Sequence, residues 1–286
     1  MRIDLHGADG LNLAADVKGN ESAPAVLLFH GGGQTRHAWG TTLDVLSADW
    51  HAYSIDLRGH GESDWAPDGN YSIDAFAQDV IEVAQSMPAP PVLVGASLGG
   101  LASLMAIANA ATTDIGPIAR ALVLVDVAPR VEPAGVSRIV EFMTGNLEGF
   151  ETLEEVADVI AAYNPNRKRP TDLSGLKKNL RQRADGRWVW HWDPRFVSGP
   201  MGSPDETRAT TYTGNRLVEA ARAVTVPTLL VRGRMSDLLS EEGVRELQEL
   251  VPHAEVADVA GAGHMVAGDR NDAFNDAVVT FLSSLD

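Results

Sequence analysis

The stretch that most constrains this chain is residues 91–101, Pro91-Val92-Leu93-Val94-Gly95-Ala96-Ser97-Leu98-Gly99-Gly100-Leu101. An apolar run enters Gly-x-Ser-x-Gly, and an Ala/Leu-rich run follows. The pattern predicts a strand, a tight turn and a helix, with Ser97 at the apex. Gly95 and Gly99 have no side chains, so strand and helix can pass close to one another. A serine held in such a turn takes a strained backbone conformation, and its Oγ stands clear of the sheet. The Leu98 N–H then lies at a helix N-terminus, where developing negative charge is favoured. Five residues match by chance in other settings, and the same letters describe a close-packed helix start. The rest of the chain has to decide between the two.

The surrounding rhythm favours the turn. Continuous apolar runs at Ala25–His30, His51–Asp56, Pro91–Gly95, Ala121–Asp126 and Pro227–Arg232 read as strands buried on both faces. Residues 1–6 and 11–17 read as two short strands about the turn Gly7-Ala8-Asp9-Gly10, and Ala254–Val259 as a weaker one. Helical patterns fall between them, near 36–47, 72–86, 98–110, 240–250 and 269–284. This alternation predicts an α/β fold with a mostly parallel, doubly wound sheet. Residues 131–223 break it. They hold helix-like pieces at 136–145, 151–162, 172–184 and 205–222, a tryptophan cluster at Trp188, Trp190 and Trp192, and no clear strand. The expectation is a core of residues 1–130 and 224–286, with 131–223 as a helical cap inserted after the sixth strand. Such an insertion lies over the carboxyl edge of the sheet, where ligands bind in open α/β folds.

Composition narrows the chemistry. The 286 residues carry a formal net charge of −16, which argues against nucleic acid and anionic membranes as partners. There is no cysteine, so disulfides, thiolate nucleophiles and cysteine metal sites are excluded. Met1-Arg2-Ile3-Asp4 opens no apolar leader, no run reaches transmembrane length, and the expected compartment is cytoplasmic. No metal or cofactor is expected.

His30-Gly31-Gly32-Gly33-Gln34 follows the third strand. It lacks the lysine of a phosphate loop, and Arg36 occupies the sixth position of a would-be dinucleotide fingerprint. The remaining functional reading is an oxyanion loop, in which the N–H groups of Gly32 and Leu98 together bind a carbonyl oxygen. A serine nucleophile also needs a histidine base and a carboxylate to orient it. His264 is the best placed of eight histidines, in Gly261-Ala262-Gly263-His264-Met265 after the last strand. Two aspartates follow strands at the same edge, Asp237 after the seventh and Asp126 at the end of the sixth. The order Ser97, Asp237, His264 is the expected one, but Asp126 keeps it too. Asp237 is the preferred acid and Asp126 the alternative. His37 and the cap residues Trp190 and Trp192 are candidates for the substrate pocket; packing competes as an explanation for both tryptophans.

With these residues placed, the chain resembles the α/β-hydrolase fold superfamily over nearly its whole length. The resemblance rests on His30-Gly31-Gly32-Gly33 with Trp39, on Asp56-Leu57-Arg58-Gly59-His60-Gly61-Glu62-Ser63, on Gly95 to Gly100, on Gly233 to Asp237, and on Gly263-His264. It implies eight strands with the second antiparallel, and a helical cap. Within the superfamily the chain looks like the lidded carboxylesterases, haloperoxidase/perhydrolase-like enzymes, C–C bond hydrolases and epoxide hydrolases. Ser97 stands where epoxide hydrolases and haloalkane dehalogenases carry aspartate, which argues against alkyl-enzyme chemistry. Gly32-Gly33 stands where perhydrolase-like enzymes usually carry an aromatic and a proline. Asp56 and Arg58 are expected to brace the loop beside the site. The expected activity is serine hydrolysis of a small carboxylic ester or related acyl compound, a small-molecule partner. C–C hydrolysis of a diketone-like substrate or a perhydrolase-like side activity, and a catalytically silent small-ligand receptor on the same fold, are the alternatives. The sequence is silent on oligomeric state.

Overall fold

The computed structural model describes residues 1–165, 169–198, 206–264, 266 and 271–285, with the backbone alone at 206–213 and 271. Eight of the described strands form one sheet: β1 (Arg2–His6), β2 (Asn12–Lys18), β3 (Ala25–Phe29), β4 (His51–Ile55), β5 (Val92–Ala96), β6 (Ala121–Val125), β9 (Thr228–Gly233) and β10 (Glu255–Val259). Their spatial order is β1-β2-β4-β3-β5-β6-β9-β10. β2 runs antiparallel to β1 and β4, and every other pairing is parallel.

The central strands lack polar alternation because both of their faces are covered. On β3, Leu27 and Phe29 enter one core with α2 (Ile73–Gln85) and α3 (Leu98–Ala111). Val26 and Leu28 enter the other core, with α1 (Gly40–Leu46) and α9 (Asn271–Ser283). The chain winds outward in opposite directions from β3 and β5, so the loops after these two strands flank the crevice where such sheets bind ligands. Phe29 pairs with Gly95 across the two strands. That register brings the glycine loop after β3 beside Ser97.

Between β6 and β9 lie α4 (Pro133–Thr144), α5 (Leu153–Tyr163), α6 (Arg195–Ser198) and α7 (Glu206–Arg222). Pro133 opens α4, and the Thr152 hydroxyl caps α5 by accepting from the Glu155 N–H. α7 packs on α3 and ties to α2 through the Arg216–Asp74 ion pair. The helix expected over 172–184 is absent. A 3₁₀ turn at Ser174–Asn179 leads instead into β7 (Leu180–Gln182), paired antiparallel with β8 (Trp188–Trp190). Trp-Val-Trp is a strongly β-forming run, and Gly186 supplies the positive φ of 86° in the connecting turn. The alternation in the tryptophan cluster was therefore a strand signal.

The Asp56–Ser63 turn after β4 is braced as expected, by two different partners. Buried Asp56 accepts from the Arg36 backbone N–H and guanidinium, each at 2.5 Å, and from the Glu62 N–H at 2.9 Å. Buried Arg58 forms a two-pronged pair with buried Asp79, at 2.6 and 2.7 Å, and Asp79 also accepts from the Ala8 N–H. Removing one member of a buried pair strands the other charge, at a cost of about 3–5 kcal/mol. Asp79→Ala should lower the unfolding free energy by that amount in urea titration.

Two fully buried histidines join this turn to the glycine loop. His30 Nδ1 donates to Gly31 O at 2.8 Å while its Nε2 accepts from the Leu57 N–H at 3.0 Å. His60 Nδ1 donates to Arg58 O at 3.0 Å while its Nε2 accepts from the Gly33 N–H at 3.1 Å. A carbonyl can only accept and an N–H can only donate, so both imidazoles are neutral with the proton on Nδ1. Burial is the main reason their pKa values fall, His30 to about 4 and His60 to about 3. In the unfolded chain both would titrate near 6.5, so the unfolded state binds more protons below that pH. Stability is therefore complete above about pH 7 and is lost as the pH falls. At pH 5 each histidine should cost roughly 2 kcal/mol, from about 1.4 kcal/mol per pKa unit. Urea midpoints at pH 7.5, 6 and 5 should decline accordingly.

Candidate active site

Ser97 ends β5 with φ 46° and ψ −113°, a conformation that costs a non-glycine residue energy and is kept only where the surroundings enforce it. The enforcement is close contact. A Cβ on Gly95 would lie 2.4 Å from Gly100 N, and one on Gly99 would lie 2.4 Å from Phe29 O. Only glycine at both places lets α3 start so close to β3 and β5. Ser97 N donates to Val125 O of the neighbouring strand, which locks the turn from the other side.

His264 follows β10. Its Nδ1 donates to Asp126 Oδ2 at 2.7 Å, and its Nε2 has no hydrogen-bond partner among the described residues. Asp126 is the carboxylate at the end of β6, fully buried and held at φ 49°. Its Oδ1 accepts from the Gly233 N–H at 3.0 Å, and its Oδ2 accepts from the Ser236 hydroxyl as well as from His264. A Cβ on Gly233 would lie 2.2 Å from Gly263 O, so glycine at the end of β9 is what lets the histidine loop close in.

The preference for Asp237 is corrected here. Asp237 is half exposed and pairs with Arg138 of α4 at 2.5 Å, joining the loop after β9 to the inserted helices. The reason is reach. Asp126 leaves its strand directly at the sheet edge, whereas Asp237 lies four residues beyond the end of β9, after a turn closed by the Ser236 N–H to Gly233 O bond. Ser236 and Gly233, which hold the Asp126 carboxylate, lie in the Gly233–Asp237 stretch, whose sequence gives no sign of which carboxylate they serve.

Around the serine, alternate backbone N–H groups are already bonded. Gly31 N donates to Gln34 Oε1, Gly33 N to His60 Nε2, Ser97 N to Val125 O and Gly99 N to His30 O. The N–H groups of Gly32 and Leu98 have no protein acceptor among the described residues, and both residues border the same cavity as Ser97 and His264.

That cavity measures about 1150 Å³. Val136, Ile139, Val140 and Met143 line it from α4, and Ala157, Ile160 and Ala161 from α5. The spacing of three and four residues marks one face of each helix. Polar groups gather elsewhere on the wall, including Gln34, His37, Lys178 and Asn179. His37, half-buried and 3.7 Å from Asp16, has its pKa lowered mainly by burial. Trp190 borders the cavity as expected. Trp192 does not: it stacks behind Trp190 at 5.0 Å and closes over Gly33. Among the described residues no three His, Asp or Glu side chains are grouped to hold a metal ion, and no helix is long and apolar enough to cross a membrane.

Comparison with known proteins places the family and the fold. Residues 26–277 match the Alpha/beta hydrolase family. The chain is 32% identical over 265 residues to the esterase Rv0045c of Mycobacterium tuberculosis, covering 90% of this chain and 82% of the relative. It is 29% identical over 257 residues to a 3-hydroxybutyrate-oligomer hydrolase of Cupriavidus necator, covering 86% and 84%. Its fold superposes on the crystal structure of an E-2-(acetamidomethylene)succinate hydrolase with a TM-score of 0.84 at 24% identity, covering 99% of each chain. The strained serine, the buried Asp126–His264 pair and the sheet order are thus set in a chain that belongs to the alpha/beta hydrolase family.

Proposed function

We propose that the protein is a serine hydrolase of carboxylic esters that works through an acyl-enzyme on Ser97. The observation that carries the reading is the His264 Nδ1–Asp126 hydrogen bond at the rim of the cavity that also holds Ser97 and the unsatisfied N–H groups of Gly32 and Leu98. Asp126 fixes the imidazole with its proton on Nδ1, which leaves Nε2 to take the Ser97 proton. Ser97 Oγ attacks the ester carbonyl, and the negative charge moves onto the carbonyl oxygen between the two N–H groups. The imidazolium returns its proton to the leaving alcohol as the C–O bond breaks. Water, deprotonated by His264, then attacks the acyl-enzyme, and Ser97 leaves with the proton restored.

The cavity wall supports an acyl group with an apolar portion. The residues lining it from α4 and α5 are aliphatic, methionine or alanine together with the stacked rings of Phe142 and Tyr163, and a bound alkyl chain gains about 25 cal/mol per Å² of surface removed from water. Esterase and hydrolase are the activities named for the two relatives, which fits ester cleavage. Cytoplasmic residence is part of the same proposal.

The test uses p-nitrophenyl esters of graded acyl length together with a fluorophosphonate label. The wild-type protein should label at Ser97 and turn over. Ser97→Ala should lose on the order of 10⁴–10⁶-fold in kcat. Asp126→Asn should lose roughly 10⁴-fold, because the wrong imidazole tautomer is then favoured. Asp237→Asn breaks only an exposed ion pair worth about 0–1 kcal/mol and should stay within several-fold of wild type. A Ser97→Ala protein with full activity, or loss confined to Asp237→Asn, overturns the mechanism. Turnover of a vinylogous diketone panel with no ester turnover would place the chemistry at a C–C bond instead.

A further inference from the structure

We infer that His60 is a positioning residue for the oxyanion site: its imidazole fixes the peptide after Gly32, and its own backbone joins that peptide to the segment inserted above the sheet. The inference rests on the serine-hydrolase reading of the cavity.

Gly32 has no side chain to restrict it, so the direction of its N–H depends on how the two peptide planes on either side of it are held. The plane before it carries Gly31 O, which accepts from His30 Nδ1 at 2.8 Å and from the Gln34 N–H at 3.1 Å. The plane after it carries the Gly33 N–H, whose acceptor is His60 Nε2 at 3.1 Å. His30 and His60 thus hold successive peptide planes: the Gly32 N–H lies in the first, trans to Gly31 O, and the second, held by His60, limits the rotation about the Gly32 backbone that would turn this N–H away from the cavity.

His60 is itself over-determined. It is fully buried, its Nδ1 is committed to Arg58 O, and it packs edge-on against His30 at 5.2 Å and Phe196 at 4.8 Å. Its main chain carries the inserted segment. His60 bridges Trp192, Gly61 N donates to His191 O at 2.7 Å, and Asp193 N donates to Gly59 O at 2.7 Å. Tyr71 pins the same segment by donating to Asp193 Oδ2 at 2.6 Å. One residue therefore connects the Gly32–Gly33 peptide to the segment that carries Trp190 to the cavity wall, with Trp192 stacked behind it. His60 touches no reacting atom; it acts through Gly32.

The experiment compares wild type, His60→Leu and His60→Gln. Leucine removes the acceptor and leaves the Gly33 N–H unpaired. Glutamine places a carbonyl oxygen near the former Nε2. Each protein is assayed on a p-nitrophenyl ester with active sites titrated by the acyl-enzyme burst, so that unfolded material does not count. Each is also assayed on a matched ester and thionoester, which put oxygen or sulfur where the oxyanion forms. His60→Leu should lose about 10–100-fold in kcat, the scale of a misplaced catalytic contact, with KM within about threefold. Its preference for ester over thionoester should narrow. His60→Gln should recover most of both losses. If His60→Leu keeps its kcat per titrated site, or loses kcat with the ester-to-thionoester ratio unchanged, the positioning role is overturned while the serine mechanism stands. If His60→Gln is as impaired as His60→Leu, the acceptor at Nε2 is not what matters and the role is again overturned. A wild-type protein with no burst and no label at Ser97 overturns both readings.

Discussion

The geometry of the site depends on one buried carboxylate. Asp126 is wholly removed from solvent, and an ionised carboxylate in that position is tolerable only when its oxygens are filled with donors. The donors come from separate places: the Gly233 N–H at the end of β9, the Ser236 hydroxyl in the loop beyond it, and His264 after β10. Satisfying the charge therefore draws three loops to one point at the carboxyl edge of the sheet. Ser97 is brought to the same edge by a different force, the close crossing of β5 and α3 that only glycine at 95 and 99 permits. Ser97 and His264 border one cavity because the sheet aligns β5, β6, β9 and β10 side by side.

How much of this could be read from the residues depended on whether the signal was local. The main sheet was legible because strands buried on both faces are continuous apolar runs, and five of them stand out in the chain. The elbow was legible because glycine spacing is a direct statement about backbone approach. The choice between Asp126 and Asp237 was not, since both follow strands and both keep the chain order. What separates them is a distance in space, set by the turn at Gly233–Ser236 and by Arg138 arriving from α4. The β7–β8 hairpin was missed for a related reason. Leu180–Gln182 is too short to show a period, and its partner at Trp188–Trp190 resembled a packing cluster.

The helices α4 and α5 expose a different ambiguity. An aliphatic stripe at positions 136, 139, 140 and 143 has the spacing of any helix that faces a core. Here the stripe faces the cavity. The pattern of a helix records which side avoids water, and a ligand pocket and a hydrophobic core satisfy that condition equally. Only the neighbouring geometry distinguishes them, and here the stripe shares its cavity with Ser97 and His264, while Met143 also packs in the core. Trp190 and Trp192 make the same point within one strand and its end: one tryptophan borders the cavity and the other stacks behind it.

Charge near the oxyanion donors is settled before any substrate arrives. Arg36 is neutralised by Asp56, Asp16 and Glu62, and Arg58 by Asp79. His30 and His60 are kept neutral, chiefly by burial, and each needs its bare Nε2 to accept a backbone N–H. A protonated His60 would turn that acceptor into a donor pointed at the Gly33 N–H, and the Gly32–Gly33 peptide would lose its anchor. Neutrality is thus a condition of geometry, not only of charge balance. In the proposed mechanism the field that meets a developing oxyanion comes from the fixed dipoles of the Gly32 and Leu98 N–H groups and the start of α3, which need no reorganisation as charge appears. The mobile charge of that mechanism is the imidazolium on His264, and the Asp126 carboxylate already faces it.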